Sequence, residues 1–364
     1  MSKPNNPYGF ETLSIHAGAA PDPTTGARVT PIYQTTAFVF DDAEHAASLF
    51  NLQTWGYIYS RIGNPTVSVL EERIATLEGG RGAIATASGH AAQMLVAFSL
   101  MRAGDHLVAG NKLYGGSVTQ FTRTFAKFGW DCTLVDPDEP ENFRNAIRPE
   151  TKAIFIECLA NPGGVVVDIE AVAGIAHAAG IPLIVDNTLA TPYLCRPFEW
   201  GADIVVHSTT KYLSGHGNAM GGVVVDSGRF DWSQNDKFPN LAKPEPAYHG
   251  LTFHETFGDL ALTAHGHAIG LRDLGACMAP MNAFLTITGC ETLPLRMQRH
   301  VENAQRIAEF LDGHPAVAWV SYAGLKASKY RALAQKYLPG GAGAVFTFGV
   351  KGGYEVGRRV VENC

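Results

Sequence analysis

Short apolar runs rich in valine, isoleucine and alanine recur along the middle of the chain, at roughly 20–30-residue spacing from Ala83 to Val225. The clearest are Ala83–Ala87, His106–Ala109, Cys132–Val135, Thr151–Ile156, Ile181–Val185, Ile204–Val206 and Met220–Val225. A run apolar at every position, without alternation, predicts a strand buried on both faces. Strands of that kind separated by helical or loop segments predict parallel βαβ units and a doubly wound sheet, an α/β fold. Val67, Leu70, Ile74 and Leu77 fall at helical spacing and predict a helix over Thr66–Glu78. Beyond the sheet the pattern predicts a helix (Leu295–Leu311), a strand (Val317–Tyr322), a helix (Tyr330–Leu338), a strand (Ala344–Val350) and the start of a helix (Tyr354–Cys364).

Two stretches lack sustained periodicity. Residues 1–65 are rich in Pro, Thr, Gly and Asn and cannot bury much of themselves, so they are expected to lie as an arm on another surface. Asp226 to about Asp259 reads as a long irregular segment carrying Trp232, Phe238, Tyr248 and Phe253, and a segment that long is usually functional. The expected organisation is an arm (1–65), a large sheet domain (66–258) and a smaller C-terminal α/β domain (259–364). The last predicted helix ends without a glycine cap, as expected of a chain cut inside an element.

Composition then excludes several classes. At 364 residues the chain can bury a large core, and its net charge of -6 argues against a nucleic-acid surface. Cysteines 132, 158, 195, 277, 290 and 364 show no Cys-x-x-Cys spacing, so neither a zinc site nor a disulfide framework is expected. His254-Glu255-Thr256-Phe257 lacks the second histidine of a zinc protease motif, and His265-Gly266-His267 lacks a third ligand. No metal is expected. Gly340-Gly341-Ala342-Gly343 precedes a strand, where a dinucleotide fingerprint would follow one. The N-terminus has no apolar signal core, and Gly82–Leu100 is interrupted by Ser88, Gly89, His90 and Gln93, so no membrane span is expected. A soluble, cytoplasmic protein is the expectation.

The candidate chemistry sits where strands end. The Ile204–Val206 run stops in Ser208, Thr210 and Lys211 and breaks at Gly215 and Gly217. Ligands of α/β sheets bind at carboxyl ends of strands. Two hydroxyls beside an amine suit a phosphate next to a nucleophile, and the amine of Lys211 could form a Schiff base. If the extended backbone continues, Ser208 and Thr210 point the same way. A solvated polar turn is the competing reading of these residues. Ile181–Val185 ends in Asp186, and an anion at a pyridine nitrogen keeps that nitrogen protonated. Ser88-Gly89-His90 is a small-residue turn opening a helix, where free N–H groups and the helix dipole favour an anion.

Asp186-Asn187-Thr188 taken with Ser208-x-Thr210-Lys211-Tyr212 resembles the cysteine and methionine metabolism (trans-sulfuration) family of pyridoxal-phosphate enzymes, from about Thr12 to the end of the chain. The resemblance implies the aspartate-aminotransferase fold type I and pyridoxal 5'-phosphate as cofactor. It implies Lys211 as the lysine that carries the cofactor and moves protons, Asp186 at the ring nitrogen, and Tyr114 stacked over the ring. It gives Ser88, Gly89 and His90, through their main chain, and Ser208 and Thr210 to the phosphate. Asn161 matches the partner of the phenolic oxygen; Glu157 and Thr188 match site-adjacent positions. Cys158-Leu159-Ala160 stands where many relatives have Ser-Pro. Tyr59 and Arg61, within Tyr59-Ser60-Arg61-Ile62-Gly63-Asn64-Pro65, match residues that reach a partner subunit's cofactor phosphate, so a homo-oligomer with shared sites, a dimer or tetramer, is implied. Arg358 and Arg359 do not match the substrate-carboxylate arginine, which the resemblance places in a further segment.

Pro244-Glu245-Pro246-Ala247-Tyr248-His249-Gly250 resembles an insertion of the O-acetylhomoserine sulfhydrylase branch. This implies a γ-replacement in methionine biosynthesis, O-acetyl-L-homoserine and sulfide giving L-homocysteine and acetate. Cystathionine γ-synthesis and methionine or cystathionine lysis remain open within the family. Gly115-Gly116 follows Tyr114 where methionine-cleaving relatives place a cysteine. A cofactor-binding relative without turnover is the non-enzymatic alternative.

Overall fold

The computed structural model describes residues 7–363. Seven strands form one sheet: β1 (Gly82–Thr86), β2 (His106–Gly110), β3 (Asp131–Val135), β4 (Thr151–Glu157), β5 (Leu183–Asp186), β6 (Ile204–Ser208) and β7 (Gly222–Asp226). Their order across the sheet is β1-β7-β6-β5-β4-β2-β3. Strands β2 to β6 pair in parallel, while β7 pairs antiparallel with both β6 and β1. The all-parallel expectation therefore fails at one strand. Residues 209–221, between β6 and β7, hold turns but no crossover helix, so the chain doubles back beside itself.

β2, β4 and β7 are buried along their whole length, as the unbroken apolar runs require of a sheet covered on both faces. The helix predicted from residue 66 runs Pro65–Glu78. Asn64 caps it by accepting the Thr66 N–H at 3.0 Å, Pro65 occupies its first turn, and Gly79 ends it in the left-handed region at φ 78°. Leu70, Ile74 and Leu77 are wholly buried on its inner face. On the other face lies the Gly89–Leu100 helix, with Leu95, Val96 and Leu100 in the core.

β8 (Val317–Ser321) and β9 (Thr347–Val350) form a second, antiparallel sheet beside the Leu293–Asp312 helix. The expected strand from Ala344 starts three residues later, and the last helix is Gly353–Glu362. The 226–259 segment is not irregular throughout. It folds into short helices at Pro239–Ala242 and Phe253–Phe257 around an aromatic cluster, with Phe230 and Trp232 ring centres 4.7 Å apart and Trp232 and Phe238 5.2 Å apart. Arg73 ties the N-terminal arm down by donating to the Ala17 carbonyl at 3.0 Å. Among the described residues no helix is long and apolar enough to cross a membrane.

Candidate active site

The strand register gathers one edge of the sheet. Thr86 at the end of β1 and Ser208 at the end of β6 both pair with Gly222, and Glu157 at the end of β4 pairs with Asp186 at the end of β5. Because β7 is reversed, its first residue meets the last residues of its two neighbours. The loops leaving β1, β4, β5 and β6 thus open on the same side, where an α/β sheet holds its ligand.

Ser88 and Gly89 face Ser208 there. Ser88 caps the Gly89–Leu100 helix by accepting the Ala91 N–H at 3.1 Å. The first N–H groups of that helix have no partner within it and point toward an anion site. Ser208 donates its N–H to the Thr188 hydroxyl at 2.9 Å, and Thr188 donates its own N–H to Asp186 Oδ1 at 2.9 Å. One hydrogen-bonded chain thereby connects the hydroxyl end of the site to the carboxylate end. The extended backbone stops at Ser208, so the expectation that Ser208 and Thr210 share a strand face is not met. Thr210 lies in the following turn, with its hydroxyl 3.5 Å from the Gly221 carbonyl. Lys211 is exposed in that turn, which closes through the Gly215 N–H on the Lys211 carbonyl at 2.8 Å.

At the other end, two carboxyls stand side by side. Glu157 accepts the Tyr114 N–H at 2.6 Å and the Asn161 N–H at 3.0 Å, and so fixes both of those loops. Burial and then the charge of Asp186 push the Glu157 carboxyl up to about 8. Burial also raises Asp186, against the opposing pull of Thr188, His207 and Gln93. Two carboxyls so close are short of positive charge, and a pyridinium nitrogen beside Asp186 would supply it. The opening turn, the hydroxyls, the carboxylate and the amine together fit pyridoxal phosphate.

Tyr114 is half exposed, with its ring centre 5.9 Å from that of His90. The His90 imidazole thus lies beside Tyr114, whereas the sequence pattern pointed only to its backbone. Tyr59 and Arg61 stand apart from this cluster. Both are exposed on the arm, Arg61 lies over the Tyr59 ring, and its guanidinium donates to the Arg272 carbonyl.

The Cys/Met metabolism PLP-dependent enzyme model matches residues 11–364. The chain belongs to this family. Among its relatives, the O-acetyl-L-homoserine sulfhydrylase of Leptospira meyeri is 47% identical over 99% of this chain and 83% of its own length. The homocysteine synthase of Schizosaccharomyces pombe is 49% identical over 97% of this chain and 82% of its own length. A solved Campylobacter jejuni chain, described as an O-acetylhomoserine (thiol)-lyase and carrying N'-pyridoxyl-lysine-5'-monophosphate, superposes with a TM-score of 0.95. It is 39% identical, covering 98% of this chain and 87% of its own. This Cys/Met metabolism enzyme accordingly has the PLP-dependent α/β fold.

Three residues that brace these strand ends and turns were not singled out by the sequence. Gln93 points its amide nitrogen at Ser117 Oγ, 3.1 Å away, and at Asp186 Oδ2, 3.5 Å away. A lone amide in an apolar helix was its only signal. Arg296 reaches back from the Leu293–Asp312 helix to the Tyr212 carbonyl at 2.8 Å and the Gly289 carbonyl at 2.6 Å, bracing the turn after Lys211. His207, next to Ser208, is wholly buried against Glu78.

Proposed function

We propose that the chain replaces the acetate of O-acetyl-L-homoserine with sulfide, forming L-homocysteine. Identity of 47–49% over nearly the whole chain to proteins named for that reaction carries the reading. Lys211, in the turn that follows β6 next to the β5 strand ending in Asp186, is consistent with it.

In this reading Ser88, Gly89 and His90 offer backbone N–H groups to the cofactor phosphate, and Ser208 and Thr210 offer hydroxyls. Tyr59 and Arg61 of a neighbouring copy complete the phosphate site; guanidinium binds phosphate in a bidentate fork. Asp186 holds the proton on the ring nitrogen, with Thr188 and Gln93 holding Asp186. Tyr114 covers the ring, and Asn161, held by Glu157, faces the phenolic oxygen. Bound pyridoxal phosphate supplies an electron sink for the pair left when a C–H bond of the substrate breaks. Lys211 carries the cofactor, then takes the proton from the substrate α carbon and serves the β carbon in turn, so that acetate leaves from the γ carbon and sulfide adds there. The units are the arm (1–65), the cofactor-binding domain (66–258) and the C-terminal domain (259–364). The assembly is a dimer of shared sites, paired into a tetramer.

The test is product analysis on protein loaded with pyridoxal phosphate, given O-acetyl- or O-succinylhomoserine with sulfide or with cysteine. Homocysteine from the acetyl ester and sulfide is expected to dominate, well above methanethiol from methionine or pyruvate from cystathionine. Cystathionine formed from cysteine at a comparable rate would overturn the assignment in favour of cystathionine γ-synthesis. Cofactor uptake with no product from any pair would make the protein a binding relative without turnover.

A further inference from the structure

Glu78 ends the Pro65–Glu78 helix on the face of the sheet opposite the candidate active site, and its side chain is wholly buried. One of its oxygens, Oε1, accepts from two directions: His207 Nε2 at 2.6 Å and Asn187 Nδ2 at 2.8 Å. His207 precedes Ser208 at the end of β6, and Asn187 follows Asp186 at the end of β5. Successive side chains of an extended chain point to opposite faces. The residues that Glu78 holds below the sheet are thus the immediate neighbours of two residues that face the site above it.

The junction has little else to hold it. The β5–β6 ladder ends at the Asp186–Val206 pair, continued only by the Asn187 N–H on the Val206 carbonyl at 3.0 Å. Above the sheet, the Thr188 hydroxyl ties the strands through the Ser208 N–H. Below it, Glu78 ties them through two side chains, while Asn187 also donates to the Cys195 carbonyl at 2.9 Å and anchors the loop after β5. A buried carboxylate–imidazole contact is weak evidence of stabilisation, because apolar side chains of similar volume often serve as well. What apolar side chains cannot do is gather two donors from two strand ends on one oxygen.

We propose that Glu78 is a positioning residue, whose carboxylate ties the ends of β5 and β6 together from beneath and so fixes the spacing between Asp186 and Ser208. The inference rests on the cofactor-site reading given above, in which pyridoxal phosphate spans that spacing with its ring nitrogen at one end and its phosphate at the other. Inorganic phosphate touches only the Ser208 end and does not sense the spacing.

Two variants separate positioning from general stability. Glu78→Gln keeps Oε1 with both of its donors and changes only Oε2, which has no hydrogen-bond partner among the described residues. Glu78→Met keeps the approximate volume and removes the acceptor. Cofactor-free protein is titrated with pyridoxal phosphate, and with inorganic phosphate as competitor, well below the thermal midpoint of each variant. Glu78→Met is expected to weaken pyridoxal phosphate binding at least roughly tenfold, because both donors lose their shared acceptor and the two strand ends are no longer held at one spacing. Inorganic phosphate should bind it within about twofold of the parent, and Glu78→Gln should bind both ligands as the parent does.

Should Glu78→Met fail to fold, His207→Leu replaces it, because that change frees the β6 end and leaves both Asn187 contacts, to Glu78 and to the Cys195 carbonyl, in place. It should show the same selective loss. A lowered thermal midpoint with both affinities unchanged, or an equal loss for both ligands, overturns the inference. Parent protein that takes up no pyridoxal phosphate overturns the site reading itself, a separate and recognisable failure.

Discussion

Gly89 lies so close to Ser208 that a methyl group on Gly89 would stand 2.8 Å from the Ser208 Cβ and 3.0 Å from its Cα. The helix opening and the strand end therefore pack against each other with no space for a side chain between them. Gly89→Ala should cost roughly 1–3 kcal/mol of stability, the usual range for overpacking, and should weaken pyridoxal phosphate uptake further. Thermal unfolding and cofactor titration measure the two effects. An alanine variant with parental uptake would separate this contact from the phosphate site.

Borohydride reduction of the loaded protein should fix the cofactor on Lys211, identified by peptide mass spectrometry. Label on another lysine would displace Lys211 from its role. Asp186→Asn should still bind the cofactor but lose roughly 10- to 150-fold in kcat/KM. That matches about 1.5–3 kcal/mol for a hydrogen bond to a charged group. Unchanged turnover would remove Asp186 from the ring nitrogen.

The carboxyl pair gives the cofactor-free protein a pH signature. Glu157 is raised by burial from its ordinary 4.5 to about 8. Between those values the folded protein keeps a proton that the unfolded chain has released, so the Glu157 contribution to stability is fully present below 4.5, is lost as pH rises, and levels off above about 8. Asp186 and Asp226, both raised by burial, add slope of the same sign. Glu157→Gln should flatten the profile in part, leaving the share of those two. The same variant should lower the thermal midpoint at acid pH, because its amide NH2 cannot accept one of the N–H groups that Glu157 now takes. Thermal midpoints from pH 5 to 9 test both statements, and an unaltered slope would assign the titration elsewhere.

Arg61 provides the test of assembly. Arg61→Ala should weaken cofactor binding by roughly 1.5–3 kcal/mol, since it removes a charged donor to phosphate. Mixed Arg61→Ala and Lys211→Ala chains, assayed at a cofactor concentration too low to load either variant productively alone, should regain activity, because one hybrid site would hold both residues. Chains that exchange subunits and never complement would place Arg61 at its own chain's site.

The strands were legible because unbroken apolar runs have few other solutions in a chain this long, and their polar ends marked the site edge. The direction of β7 was not, because Gly-Val-Val-Val-Asp reads alike either way; only the lack of a crossover helix between residues 209 and 221 decides it. Asp186 and Lys211 announce themselves by ending apolar strands. Gln93, Arg296 and Glu78 act from helices, where an isolated polar residue on a buried face has many possible partners and the sequence names none. The aromatic residues of 226–259 looked loop-like because their prolines break periodicity, yet the rings pack together and join the main core.

The place of β1 bears on how the protein is made. Of the strands of this sheet it is synthesised first, but it lies at the edge and its neighbour in the sheet is β7, whose residues are added roughly 140 positions later. A ribosome must therefore deliver β2 to β6 before β1 has a neighbour in the sheet, and the turn at Ser88–His90 waits with it. Growing chains that stall before Gly222 would carry an unpaired valine-rich sheet edge on β6 and an unpaired β1, the kind of exposed edge that invites aggregation and chaperone capture. Cofactor capture by the nascent chain should begin only after Asp226 has cleared the exit tunnel.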